Sequence, residues 1–136
     1  LDTAANVPFD SYAAVLPYSR AVLLDLKIMD PGLHKEYTGS DNRLILENAR
    51  RFFHEPVEIY IRVPVIAGVN DNMENAGETA RFIDGARNVR EVRLLPYHGL
   101  GADKARSVGA QQEMFQTPRY VTLRDMAAVF SAPTVF

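Results

Sequence analysis

The sequence predicts an α/β fold built on a parallel sheet. Short apolar runs of strand length alternate with longer stretches of helical period. The order strand, helix, strand, helix, strand argues for right-handed βαβ units. No linker, internal repeat or low-complexity tract interrupts that order, so residues 1–136 are expected to form a single domain.

In chain order, LDTAA (Leu1–Ala5) reads as a strand end and DSYAAVLPYS (Asp10–Ser19) as a helix behind it. AVLLDLK (Ala21–Lys27) is a strand whose apolar run is broken by Asp25 and Lys27. Asp41–His54 follows as a helix, because Leu44, Ile45, Asn48, Ala49, Phe52 and Phe53 fall mostly on one face. Ser40 or Asp41 suits its N-cap. VEIYIRVPVI (Val57–Ile66) alternates β-formers with Glu58, Tyr60 and Arg62, as a strand does. Asn72–Ala86 has acidic residues early and Gly85 near its stop, the marks of a helix. Val89–His98 is a further strand, ended by Pro96. Gly99–Pro118, rich in Gly, Ala and Gln, is long for a loop in a compact domain and points to function or mobility. Pro118–Ala132 closes with a helix, and PTVF forms a last short strand.

Composition excludes several classes. With 47% apolar and 24% charged residues, the chain is expected to be soluble and to bury a real core. A formal net charge of −2 gives no electrostatic reason to expect nucleic acid or an anionic membrane as partner. No apolar stretch approaches the ~20 residues of a membrane span. There is no cysteine, so a disulfide scaffold is excluded, as is ligation of zinc or an iron–sulfur cluster through thiolates of this polypeptide. No H-x-x-x-H, P-loop, G-x-G-x-x-G or G-x-S-x-G pattern occurs. NDN (Asn70–Asn72) resembles the opening of a calcium loop but lacks the later ligands, and reads as a turn with a helix cap. The chain opens on Leu1-Asp2-Thr3, without Met and without a signal peptide. It is therefore read as starting inside a longer protein, with a cytoplasmic location expected.

In parallel α/β sheets, ligands gather at the carboxyl ends of the strands, where the loops converge. The expected tips carry Asp2 and Thr3, Asp25 and Lys27, Arg62, and Tyr97 with His98. Asp25 and Lys27 are two residues apart and so share one face. A solvated strand end accounts for either charge alone; polar groups at four neighbouring tips point to a ligand site. His98 follows LLPY, so a rigid proline turn delivers an imidazole just past a buried strand, in a role that periodicity leaves open. His34 and His54 read as incidental surface residues.

Taken in order, the blocks LDT, VLLDLKIMDPGLHKEYTGSDNRLILENARRF, IRVPVIAGVNDN and VREVRLLPYHGLGADKARSVG resemble one known family. They are similar to the radical S-adenosylmethionine enzymes that activate glycyl radical enzymes, of which pyruvate formate-lyase activating enzyme is the best-known member. The likeness covers nearly the whole chain. It implies a partial (β/α)6 barrel, of which this chain is the C-terminal half, starting near the third strand. It implies S-adenosylmethionine and a [4Fe–4S] cluster in the intact enzyme, the cluster being held by a CxxxCxxC motif and the cosubstrate's amino group by a Gly-rich motif, both absent here.

The resemblance also implies roles. Asp2 and Thr3 match a pair that helps hold a monovalent cation beside the cosubstrate's carboxylate. Asp25 matches the second acidic ligand of that site, and Leu23 a backbone ligand through its carbonyl. Lys27 matches a lysine that meets the cosubstrate's carboxylate. His98 matches a histidine lining the cosubstrate's site near the ribose, and Arg62 an arginine of the family's IR strand. The expected partner is a glycyl radical enzyme, pyruvate formate-lyase-like. The chain alone is expected to be inactive, and to self-associate as a dimer that covers an unpaired sheet edge. Two other readings are a non-catalytic small-molecule-binding α/β module and an activase of an anaerobic ribonucleotide reductase; DLK, MDP and LLPYH favour the lyase activases.

Overall fold

The computed structural model describes residues 1–98 and 115–136. Five strands form one parallel sheet in chain order: β1 (Asp2–Thr3), β2 (Ala21–Asp25), β3 (Glu58–Val65), β4 (Val89–Pro96) and β5 (Thr134–Val135). Between them run α1 (Asp10–Ala13) with a short 3-10 turn (Leu16–Tyr18), α2 (Pro31–Thr38), α3 (Arg43–Phe52), α4 (Met73–Ile83) and α5 (Tyr120–Ala127). The α/β class and the parallel sheet are as the sequence predicts. Most of the long Gly99–Pro118 stretch lies outside the described residues. Among those that are described, no helix is long and apolar enough to cross a membrane.

Local chemistry starts and stops the helices. Asp30 caps α2 by accepting from the Leu33 amide at 2.6 Å, with Pro31 at the first helical position. Gly39, at φ 85°, ends α2 in the left-handed conformation that glycine adopts without strain. The sequence reading passes over α2 because it has almost no apolar stripe; His34 lies within it and is buried, not on the surface. At α3 the N-cap position falls on Asn42, one residue beyond the expected Asp41; Asp41 still serves the helix start, accepting from the Arg43 amide at 3.0 Å. Asn72 caps α4 by accepting from the Asn75 amide at 2.8 Å, as the NDN turn predicts.

Strands β2 and β3 alternate strictly, and β4 does so from Val92 to Leu95. Val22 and Leu24 of β2, Ile59, Ile61, Val63 and Val65 of β3, and Val92 and Leu94 of β4 are all buried. They share one core with Ile45, Ala49 and Phe52 of α3, Ala76 and Ile83 of α4, and Leu123 and Met126 of α5. Phe9, Tyr12 and Phe52 close one end of it, with ring centroids 5.1–5.9 Å apart in tilted and edge-on contacts. Residues of the opposite parity, among them Leu23, Asp25, Tyr60, Arg62 and Pro64, are only half-buried. A parallel sheet is ordinarily covered on both faces. Among the described residues, the helices cover one face and leave the other open.

Candidate functional site

The open face carries the charges. Asp25 of β2 pairs in register with Arg62 of β3, and Asp2 of β1 with Leu23 of β2, so three adjacent strands bring Asp2, Asp25 and Arg62 within reach of one another. Arg62 was expected at the tip of its strand; it lies inside β3, which continues to Val65. It meets the tips of β1 and β2 because those strands end earlier.

Arg62 ties the two carboxylates together. Its Nε donates to Asp25 Oδ1 at 2.7 Å, its Nη1 donates to Asp2 Oδ2 at 2.9 Å, and its Nη2 also donates to Asp2 Oδ1. Such fork-like contacts are the strong form of the arginine–carboxylate pair. The Asp25 contact is the drier: both side chains are 20% exposed, whereas Asp2 is 63% exposed. Chiefly through its hydrogen bond, Arg62 holds the Asp2 carboxyl below the usual aspartate range. The same hydrogen bond, with the charges of both aspartates, raises Arg62 against its own desolvation. Lys27 Nζ lies 3.6 Å from Asp25 Oδ2 with 36% of its side chain exposed. Two carboxylates and two cations thus share one open patch, and the ammonium has room to meet an anion.

Thr3 faces another way. Its Oγ1 shares a 3.0 Å hydrogen bond with the Tyr12 hydroxyl and accepts from the Ala5 amide at 2.9 Å, so it organises the turn after β1. Ala5 there holds φ 56°, a left-handed conformation unusual for a residue with a Cβ. Asn48 braces that turn, donating to the Ala5 carbonyl at 2.8 Å and the Val7 carbonyl at 2.7 Å. Leu23 sits half-buried between the registers of Asp2 and Tyr60. His98 is exposed just past β4, where the Tyr97 amide donates to the Val65 carbonyl at 2.8 Å. It lies at the same end of the sheet as the cluster, yet among the described residues it makes no hydrogen bond to it.

The donor sets differ in how they suit the groups the family resemblance implies. Lys27 fits a carboxylate: it is a half-exposed point charge with one partner at a loose distance. The side-chain oxygens expected to hold a monovalent cation are all engaged, Asp2 and Asp25 by Arg62 and Lys27, Thr3 by Tyr12 and Ala5. A cation at that place would share the two carboxylates with Arg62 and Lys27. An iron–sulfur cluster finds no thiolate in this chain.

Behind the patch lies a group of residues that the sequence reading treated as turn, cap or core. After Asp25 the chain leaves the sheet, and the last ladder bond is from the Leu26 amide to the Arg62 carbonyl at 2.9 Å. The carbonyls of Lys27, Ile28 and Met29 then have no strand to pair with. Three buried asparagines take them. Asn70 Nδ2 donates to Lys27 O at 2.7 Å, Asn75 Nδ2 to the same oxygen at 3.3 Å, and Asn42 Nδ2 to the carbonyls of Ile28 (2.9 Å) and Met29 (2.7 Å). Asn75 Oδ1 in turn accepts from the Met29 amide at 2.8 Å. Buried backbone must be satisfied somewhere, and an amide side chain can both donate and accept. The available signal was the density of Asn around Asp71, which turn chemistry alone explained too readily.

No family model matches the chain. A relative 37% identical over 116 residues is the (2S)-3-sulfopropanediol dehydratase activating enzyme of Klebsiella oxytoca, matched over 84% of this chain and 37% of its own length. The trans-4-hydroxy-L-proline dehydratase activating enzyme of Clostridioides difficile is 32% identical over 136 residues, covering 97% of this chain and 45% of its own. In structure, the chain is similar to a domain of the pyruvate-formate lyase-activating enzyme from Bacteroides vulgatus, with a TM-score of 0.81, 28% identity, and coverage of 98% of this chain and 77% of that one. The chain belongs to the glycyl-radical-enzyme activating enzymes. It spans less than half the length of these two curated relatives. In this chain, Asp2, Asp25, Lys27 and Arg62 stand together on the sheet.

Proposed function

We propose that this chain is the part of a radical S-adenosylmethionine activase that orients the cosubstrate's amino-acid end, and that the intact enzyme makes a glycyl radical on a partner enzyme. The observation that carries the reading is the half-exposed Lys27 ammonium beside Asp25, on the open sheet face of a chain from the activating-enzyme family. When bound, S-adenosylmethionine and a [4Fe–4S] cluster would supply the chemistry, a 5′-deoxyadenosyl radical able to take a hydrogen atom from a glycine of the partner.

This chain's residues bind and orient. Lys27 meets the cosubstrate's carboxylate as a point charge, and Asp25 keeps that ammonium on the open face. Arg62 holds the Asp2 carboxyl below its usual range and pairs with Asp25 beside the ligand. His98 lines the ribose side. A monovalent cation held by Asp2, Thr3, the Leu23 carbonyl and Asp25 belongs to this reading as a further partner of the carboxylates that Arg62 and Lys27 already contact. The partner is a glycyl radical enzyme. Two relatives are named for dehydratases and the similar structure for pyruvate formate-lyase, so the reading extends to that class and pyruvate formate-lyase is one candidate. Without a cysteine the chain alone should be inactive, and its uncovered sheet face should favour a dimer.

A chimera tests the proposal. In it, this chain replaces the matching segment of the Clostridioides difficile relative, and electron paramagnetic resonance reads the glycyl radical on that relative's dehydratase. The expected result is a radical signal with Lys27 present and a much weaker one with Lys27→Gln. A folded chimera that carries its cluster and yields no radical would overturn the reading.

A further inference from the structure

We propose that Asn70, seconded by Asn75, is a positioning residue that sets where Lys27 stands, acting through the lysine's backbone. Asn70 is 1% exposed, and both ends of its side chain are committed. Its Nδ2 donates to Lys27 O and to Pro64 O, each at 2.7 Å, and its Oδ1 accepts from the Ile66 amide at 2.7 Å. One amide therefore staples the outgoing segment of β2 to the end of β3. The loop is shaped for this: Gly68 takes φ 77° and its amide donates to Asp71 Oδ1 at 2.7 Å, so the turn returns Asn70 to the interior. Asn75, in the first turn of α4, adds a 3.3 Å bond to Lys27 O and takes the Met29 amide.

A lysine has a long flexible stem, so its ammonium is only as well placed as its Cα. Asp25 does not place it alone, because the contact is 3.6 Å and the other carboxylate oxygen is held by Arg62. The fixed element is the Lys27 peptide. Freed from Asn70 and Asn75, that peptide can rotate and swing the side chain off the open face.

The inference rests on the reading of Lys27 as an anion-binding group, and its test separates the two. The 136-residue chain is labelled briefly with acetic anhydride, and mass spectrometry reads acetylation at Lys27 relative to Lys35, which lies on the exposed side of α2. The variants are Asn70→Ala, Asn75→Ala and, as control, Asn88→Ala. Asn88 also donates to three carbonyls (Phe52, Glu55 and Val57), but at the opposite end of the sheet. Alanine is used because a new carboxylate beside Lys27 would itself alter the amine. The expected result is a rise in the Lys27-to-Lys35 ratio of about threefold in Asn70→Ala, the scale of one exposed ion pair lost. A smaller rise follows in Asn75→Ala and none in Asn88→Ala. If circular dichroism shows Asn70→Ala unfolded, Asn75→Ala against Asn88→Ala decides. Unchanged ratios in both Asn70→Ala and Asn75→Ala, or an equal rise in Asn88→Ala, overturn the positioning role. Added S-adenosylmethionine should protect Lys27 in the unsubstituted chain; absence of protection with the Asn70 effect intact overturns the anion-binding reading and leaves the positioning role standing.

Discussion

Replacing Arg62 by methionine keeps an unbranched stem on β3 and removes the guanidinium that joins Asp2 to Asp25. The Arg62–Asp25 contact, at 2.7 Å with both side chains 20% exposed, stands between two limits. An exposed pair contributes up to ~1 kcal/mol, and breaking a buried one costs ~3–5 kcal/mol. A loss of about 2 kcal/mol is therefore expected from that contact. The Asp2 contact is mostly exposed, so the Asp25 contact dominates the loss. For 136 residues the unfolding entropy near the midpoint is about 0.29 kcal/mol/K, so the melting temperature should fall by about 7 °C near neutral pH. The pH dependence has a definite sign. Arg62 depresses the folded-state pKa of Asp2, so that carboxylate stabilises the fold above its unfolded value. The contribution disappears as pH falls through the folded value, below about pH 4. Arg62→Met has no such contribution to lose, and the gap between the two proteins should narrow in acid. Thermal melts followed by circular dichroism near pH 7 and near pH 3 check this. A drop below about 2 °C near neutral pH, or a gap that widens in acid, refutes the reasoning.

Other substitutions probe the supports of the site. Asn48→Ala should cost about 2–3 kcal/mol in urea unfolding, because it strands the carbonyls of Ala5 and Val7 and releases the left-handed turn at Ala5. Asp30→Ala removes the N-cap of α2 and should cost about 1 kcal/mol in the same assay, leaving α4 untouched. Gly85→Ala meets no atom within 4 Å, so its cost is conformational alone: φ is 78°, and a destabilisation of about 1 kcal/mol is expected in thermal melts.

The sheet was legible because its signal is periodic. AVLLD, EIYIRVPV and VREVRLLP each announce a strand, and all three observed strands lie inside the expected spans. Asp25 and Lys27 were legible for the same reason, since a period of two puts them on one face. Helix α2 was not, because its register depends on a cap and a proline, with only His34 buried. The pairing of Arg62 with both aspartates was also hidden: it depends on strands of unequal length, so an interior residue of β3 lies beside the tips of β1 and β2. The asparagine clamp was hidden by a different cause. Asn42 is far in sequence from Asn70 and Asn75, and the three meet only through the carbonyls of one short segment. A motif made of backbone acceptors leaves no pattern at the acceptor's own positions.

The strict alternation in β2 and β3 has a consequence for how this chain can change. Odd-numbered positions of β2 carry Leu23 and Asp25, with Lys27 just beyond, while even-numbered positions carry the core. Substitutions on one set can retune charge while the other keeps the chain folded, so the two properties vary along separate tracks. A deletion of one residue within Ala21–Asp25 would merge those tracks at once, driving a carboxylate into the hydrocarbon interior and turning leucines outward. Length in these strands should therefore be far less tolerant of change than composition on their open side.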